Sequence, residues 1–165
     1  MANIAIVYGS STGTTGEVAE KIKAALGSAS VFNAESVSVE DLKPFDFLIF
    51  GASTEGVGDL QYDWEALLPN IEKMDFSGKK VALFGLGDSA SFSSSFAGGM
   101  ASIYKTLKSK TNIVGAVSTD GYTFDESDAV VNGKFVGLPL DEDNEYDKTE
   151  ERIASWVNEL KKHMN

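Results

Sequence analysis

The 165-residue chain contains no cysteine. That excludes disulfides, thiolate metal sites, iron–sulfur clusters and cysteine nucleophiles. Its one histidine, His163, stands in the tail "KKHMN", which leaves neither a histidine-based metal site nor a Ser–His–Asp triad in a core. Positive charge is scarce as well. Lys and Arg number 14 against 25 Asp and Glu, a formal net charge of −11, with a pI near 4.4. Nucleic acid and anionic membrane both call for basic patches, so neither is an expected partner. Also missing are a basic leader with a cleavage site and any apolar run long enough to cross a bilayer, which predicts a cytoplasmic protein. Demanding chemistry must rest on a bound organic cofactor, or on carboxylates and hydroxyls.

What is present is an ordinary globular composition, 42% hydrophobic and 24% charged, at a length that fits one domain over residues 1–165. "NIAIVY" (3–8), "FDFLIFG" (45–51) and "KKVALFGLG" (79–87) are apolar throughout, the pattern of strands covered on both faces. "VFNA" (31–34) suits a short strand and "TNIVGAVS" (111–118) a further one. Helical periodicity runs through "GEVAEKIKAAL" (16–26), which puts Val18, Ile22 and Leu26 on one face. It recurs in "DWEALLPNIEKM", interrupted or bent at Pro69, in "SSFAGGMASIYKTLKS" (94–109), and in "EERIASWVNELKK". Strands alternating with helices predict an α/β fold, a doubly wound five-stranded parallel sheet of order 2-1-3-4-5. The segment 117–141 breaks the alternation with Gly turns and no helical period, and Asn132-Gly133 within it is a hairpin signal. It predicts a small β-excursion inserted in the last strand.

Three loops leave the carboxyl ends of the expected strands, where open α/β sheets bind ligands. They are "GSSTGTTG", "ASTEGVGDLQYDW" and "GLGDSASFSSSF", all rich in Gly, Ser and Thr. The first sits between a strand and a helix and carries no Lys, Arg or His from Tyr8 through Glu20. A helix N-terminus exposes N–H groups and partial positive charge. With the hydroxyls of Ser10, Ser11, Thr12, Thr14 and Thr15, and with Gly13 admitting close approach, the loop suits a phosphate held by neutral donors; a ligand-free helix cap is the plainer reading. A Walker A loop would require Gly-Lys-Ser/Thr, which is absent. "GLGDSA" (85–90) matches G-x-G-x-x-A but follows a late strand. A phosphoacceptor receiver would want acidic residues where Tyr8-Gly9 and Phe50-Gly51 stand.

Together "GSSTGTTGEVAEKI", "GASTEGVGDLQYDW", "LFGLGDSASFSSSFAGGMASIY", "STDGYTFDESDAVVNGKFVGLPLDEDN" and "EERIASWVNELKK" resemble a flavodoxin of the long-chain type over essentially the whole chain. The resemblance implies a flavodoxin-like fold, with the 117–141 excursion as the long-chain insertion. It also implies one non-covalent FMN and an electron-transfer protein rather than an enzyme: a low-potential one-electron carrier working between semiquinone and hydroquinone. Residue by residue, it implies that Ser10, Ser11, Thr12, Gly13, Thr14 and Thr15 hold the phosphate. Ser53, Thr54, Glu55, Gly56, Val57 and Gly58 would cover the inner ring face, with a peptide flip at Gly56-Val57 meeting N5. Leu86, Gly87, Asp88, Phe92 and Ser95 would lie on the outer side, with Asp143 nearby. No catalytic residue and no metal ligand is expected. Two positions depart from the family pattern: Glu55 stands where an inner aromatic is usual, and Phe92 where Tyr is usual.

Charge points to the partners, which are expected to be basic redox proteins such as an NADP-linked flavodoxin reductase or a low-potential oxidoreductase, met by a monomer. Glu55, Asp59, Asp63, Glu65 and the acidic stretch "DEDNEYDKTEE" would steer them. Two other readings use the same fold: an FMN-dependent quinone-type reductase, and a regulatory or binding module.

Overall fold

The computed structural model describes residues 3–10, 13–55 and 58–164, and of Glu55 the backbone only. A parallel sheet runs β10-β5-β3-β1-β2, built from β1 (Ile4–Gly9), β2 (Ser30–Asn33), β3 (Phe47–Glu55), β5 (Lys80–Leu86) and β10 (Leu138–Leu140). A further strand, β6 (Asn112–Val114), also pairs with β5 in parallel. It covers Lys80–Ala82, while β10 covers Phe84–Leu86. The fifth position of the sheet is therefore one strand split in two, and the order is the expected 2-1-3-4-5.

The continuous hydrophobicity of the central strands has a direct cause. Successive side chains point to opposite faces, and both faces are covered. Ile4, Ile6, Phe47, Ile49 and Phe84 enter one core, with Val18, Ala19 and Ile22 of α1 (Thr14–Leu26) and Ile153, Trp156, Val157 and Leu160 of α5 (Thr149–Lys161). Ala5, Val7, Leu48, Phe50 and Leu83 enter the other. That second core is closed by α2 (Val39–Leu42), α3 (Tyr62–Glu72) and α4 (Gly99–Leu107).

Several boundaries differ from the sequence reading. The first helix begins at Thr14, two residues early. Pro69 does not interrupt α3, which runs through it. A proline inside a helix costs about 3 kcal/mol, but Leu67, Leu68 and Ile71 are buried on the same helix, and each such side chain contributes about 1.5–3 kcal/mol. The helix expected over 94–109 begins only at Gly99, because Ala97 takes φ 53; a single 3-10 turn occupies Ser93–Ser95 instead. The third strand continues past residue 51 to Glu55 and folds back on β4 (Asp59–Leu60). The short α2, closed by a reciprocal capping box between Ser38 and Asp41, was not expected.

The strand expected over 111–118 also divides, since β7 (Val117–Ser118) leaves the main sheet. It joins β9 (Lys134–Phe135) and β8 (Val130–Val131) in an antiparallel sheet of order β7-β9-β8. The excursion is thus bounded by Val114 and Leu138 rather than by 117 and 141. Asn132 and Gly133, at φ 54 and φ 82, make the tight turn between β8 and β9, the geometry that the Asn-Gly pair favours. Phe124 and Phe135 of the excursion pack on Phe96 at ring-centroid distances of 5.8 and 6.0 Å. No helix among the described residues is long and apolar enough to cross a membrane.

Candidate functional site

The carboxyl ends of β3 and β5 open into one cavity of about 430 Å³, lined from α1, β3, the 86–97 segment and the 142–146 turn. It is of the size typical of small-molecule sites.

The first wall is the N-terminus of α1. Gly13 takes φ 92 and gives the helix no side-chain cap; its N–H is bonded by Ser10 Oγ at 2.8 Å. Thr14 and Thr15 line the cavity. Thr15 is fully buried, yet its hydroxyl has no hydrogen-bond partner, and the same holds for Ser53 at the end of β3. A buried polar group left unpaired costs about 1–3 kcal/mol. Two such hydroxyls in the lining of one cavity are what a bound polar ligand would relieve.

A second wall, at Asp88 and Asp143, is backed by a hydrogen-bonded network. Asp88 Oδ1 accepts from the backbone N–H of Ala90 and Ser91 at 3.1 and 2.9 Å and from Asn144 Nδ2 at 2.8 Å. Asp141, fully buried, accepts from Ser89 N–H at 3.1 Å, from the Ser89 hydroxyl, and from Asn144 N–H at 3.0 Å. Asp88, Asp141 and Asp143 bring carboxylate oxygens within 4.8 Å of one another, and the Asn144 amide donates to both Asp88 and Asp141. The Ser91 N–H and the Asn144 amide hold Asp88 below the ordinary carboxylate range. Loss of hydration, and then the neighbouring Asp88 and Asp141, push Asp143 above it. Gly87 lies so close to the next segment that a Cβ there would come 2.7 Å from Ala97 N, which fixes glycine at this corner.

Of the residues expected in the site, Thr14, Thr15, Ser53, Thr54, Leu86, Gly87, Asp88, Phe92, Ser95 and Asp143 line this one cavity. Phe92 keeps 42% of its surface exposed, free to cover a ligand. Thr54 Oγ1 is engaged by Gly99 N–H at 3.1 Å. Ser10, Gly13 and Gly58 flank the cavity without being among its lining residues, and Gly58, at φ 82, packs on Ser95. Ser11, Thr12, Gly56, Val57 and the Glu55 side chain lie outside the described residues.

The sequence reading missed Glu17, Lys21, Phe96, Ala97, Glu142 and Tyr146 in the lining. Helical spacing from Thr14 was the available signal for two of them, since Glu17 and Lys21 follow it at i+3 and i+7. Both carboxylate oxygens of Glu142 are shielded from solvent with no hydrogen-bond partner.

Comparison with known proteins agrees with this geometry. The sequence model of the flavodoxin family, described as "Flavodoxin", matches residues 6–156. The chain belongs to the flavodoxin family. It is 45% identical over 161 residues to a flavodoxin of Helicobacter pylori, covering 98% of each chain. It is 46% identical over 164 residues to flavodoxin 1 of Azotobacter vinelandii, covering 95% of this chain and 94% of that one. Among solved structures, Fusobacterium nucleatum flavodoxin bound to flavin mononucleotide superposes with a TM-score of 0.94 at 37% identity, covering 100% of both chains.

Proposed function

We propose that this flavodoxin is a one-electron carrier that works with a non-covalently bound FMN. The observation that carries the reading is the pair of buried, unpartnered hydroxyls on Thr15 and Ser53 in a cavity at the carboxyl edge of the sheet. The donor set fits the cofactor. Thr14, Thr15 and the backbone N–H groups that open α1 would hold the phosphate, with Ser10 fixing the Gly13 turn. Ser11 and Thr12 belong to the same assignment by sequence. Glu142 and Ser53 would serve the ribityl hydroxyls. Leu86, Gly87 and Asp88 would face the pyrimidine edge, Asp143 would lie beside it, and Phe92 and Ser95 would cover the outer ring face. Residues 53–58 would cover the inner face.

When bound, FMN supplies the one-electron chemistry. The protein supplies position, exclusion of water and an electrostatic bias. Asp88 and Asp143 line the cavity on the side assigned to the ring, and carboxylates there oppose any added negative charge, which lowers the potential of the more reducing step. The net charge of −11 suits short-lived complexes with basic redox proteins, among them an NADP-linked flavodoxin reductase, formed by a monomer in the cytoplasm.

Stepwise anaerobic photoreduction of the purified protein, followed by visible absorption, tests the reading. The expected record is a flavin spectrum reduced in two resolved one-electron stages. Loss of colour in a single two-electron stage would favour a direct reductase. A protein that stays colourless after addition of FMN would overturn the reading.

A further inference from the structure

Lys21 is the only cation among the described residues that line the cavity, a lining it shares with Glu17, Asp88, Glu142 and Asp143. It takes part in none of the ion pairs among the described residues, although Glu17 stands one turn before it on the same helix face. Its ammonium lies 4.9 Å from the centre of the Tyr146 ring, within cation–π range. Tyr146 is itself part of the lining, so the charge is kept at the cavity edge rather than released to solvent.

The helix sets its direction. Lys21 follows Thr14 by seven residues, about 10.5 Å along the axis and within about 20° of the same face. Long side chains on a helix lean toward its N-terminus, which is the direction of the turn that opens α1. That turn is built from hydroxyls and amides and holds no Lys, Arg or His from Tyr8 through Glu20. The nearest positive charge along the helix is therefore on Lys21.

We propose that Lys21 is a specificity-determining residue, which supplies the counter-charge that makes this pocket prefer a phosphorylated flavin over the same flavin without phosphate. The inference rests on the FMN reading. A single charge acting from several ångströms through partly hydrated space changes affinity by about threefold to tenfold, and salt weakens it once the Debye length falls to about 10 Å or less. Glu17, acidic in the first turn of α1, acts with the opposite sign.

The test titrates the apoprotein and its variants with FMN and with riboflavin, read by quenching of flavin fluorescence at low and at high salt. Lys21→Met is expected to weaken FMN about threefold to tenfold at low salt, by less at high salt, and to leave riboflavin unchanged. Lys21→Arg is expected to keep the preference and Glu17→Gln to tighten FMN alone. Equal weakening of both flavins in Lys21→Met, or unchanged FMN affinity, would overturn the assignment. An unmodified protein that binds neither flavin would overturn the FMN reading, and this inference with it.

Discussion

The two walls of the cavity are built on opposite plans. At the start of α1 one buried hydroxyl is left open: Thr15 Oγ1 has no partner, Gly13 provides no side-chain cap, and Ser53 Oγ at the end of β3 is equally uncommitted. At the second wall Asp88, Ser89, Asp141 and Asn144 satisfy one another in a closed network. The first wall is completed by a ligand, whereas the network behind Asp88 is complete with the fold, and Glu142 is the one group beside it left unpaired among the described residues that line the cavity there. The difference separates what binding needs from what folding needs, and substitutions on the two walls are expected to differ accordingly.

The largest effect is expected at Asp141. Asp141→Ala leaves the Ser89 and Asn144 donors without their acceptor and is expected to cost about 3 kcal/mol of apoprotein stability, read by urea unfolding. A loss below about 0.5 kcal/mol, the range of an ordinary surface change, would mean that the network is not what holds this wall. Thr15→Val comes next, with the reverse pattern. It removes a hydroxyl that the apoprotein does not use, so unfolding should stay within about 0.5 kcal/mol of the parent. FMN binding should weaken about tenfold, near 1.4 kcal/mol, for one lost hydrogen bond. A marked loss of apoprotein stability with unchanged FMN affinity would reverse the roles of the walls.

The sequence showed these walls unequally. The open wall was legible because its chemistry is local: one loop places Ser10, Thr14 and Thr15 at a helix start, and helix termini leave N–H groups unsatisfied wherever they occur. The parallel order was legible for a related reason, since strands buried on both faces carry no polar alternation. The closed wall depends on Asp141 and Asn144 meeting Asp88 and Ser89 across more than fifty positions of chain, and no periodicity reports such a pairing. Asp88 and Asp143 were identified by resemblance alone, and Asp141 and Asn144 were missed. Helix α4 was placed early for a similar reason. The apolar pattern continues through Phe96 and Ala97, but Ala97 is turned to φ 53 while Phe96 packs among the excursion's aromatic rings.

The smallest effects are pH-dependent and divide the closed wall itself. Asp88 is held below its ordinary value by hydrogen bonds. Its contribution is therefore present above the unfolded-state value and lost as pH falls through the folded one. Asp143 is held above its ordinary value, so the folded protein binds that proton more tightly than the unfolded chain does. Its stabilising contribution is present at low pH and lost as pH rises from about 3.9, the ordinary Asp value, through the folded value. Asp143→Asn is expected to remove the fall in stability as pH rises above about 3.9, and Asp88→Asn to remove the rise in stability with pH below it. Matching changes in the two variants, followed by chemical denaturation across pH 3–6, would contradict the assigned directions.

Amide hydrogen exchange with and without FMN compares the two walls in a single measurement. The predicted result is that the amides of Thr15 and Gly16 exchange rapidly in the apoprotein and become strongly protected with FMN, while those of Ser89 and Asn144 are protected in both states. Equal gains on both walls, or no gain at the start of α1, would contradict the account of one wall left open for the cofactor and one closed by the fold.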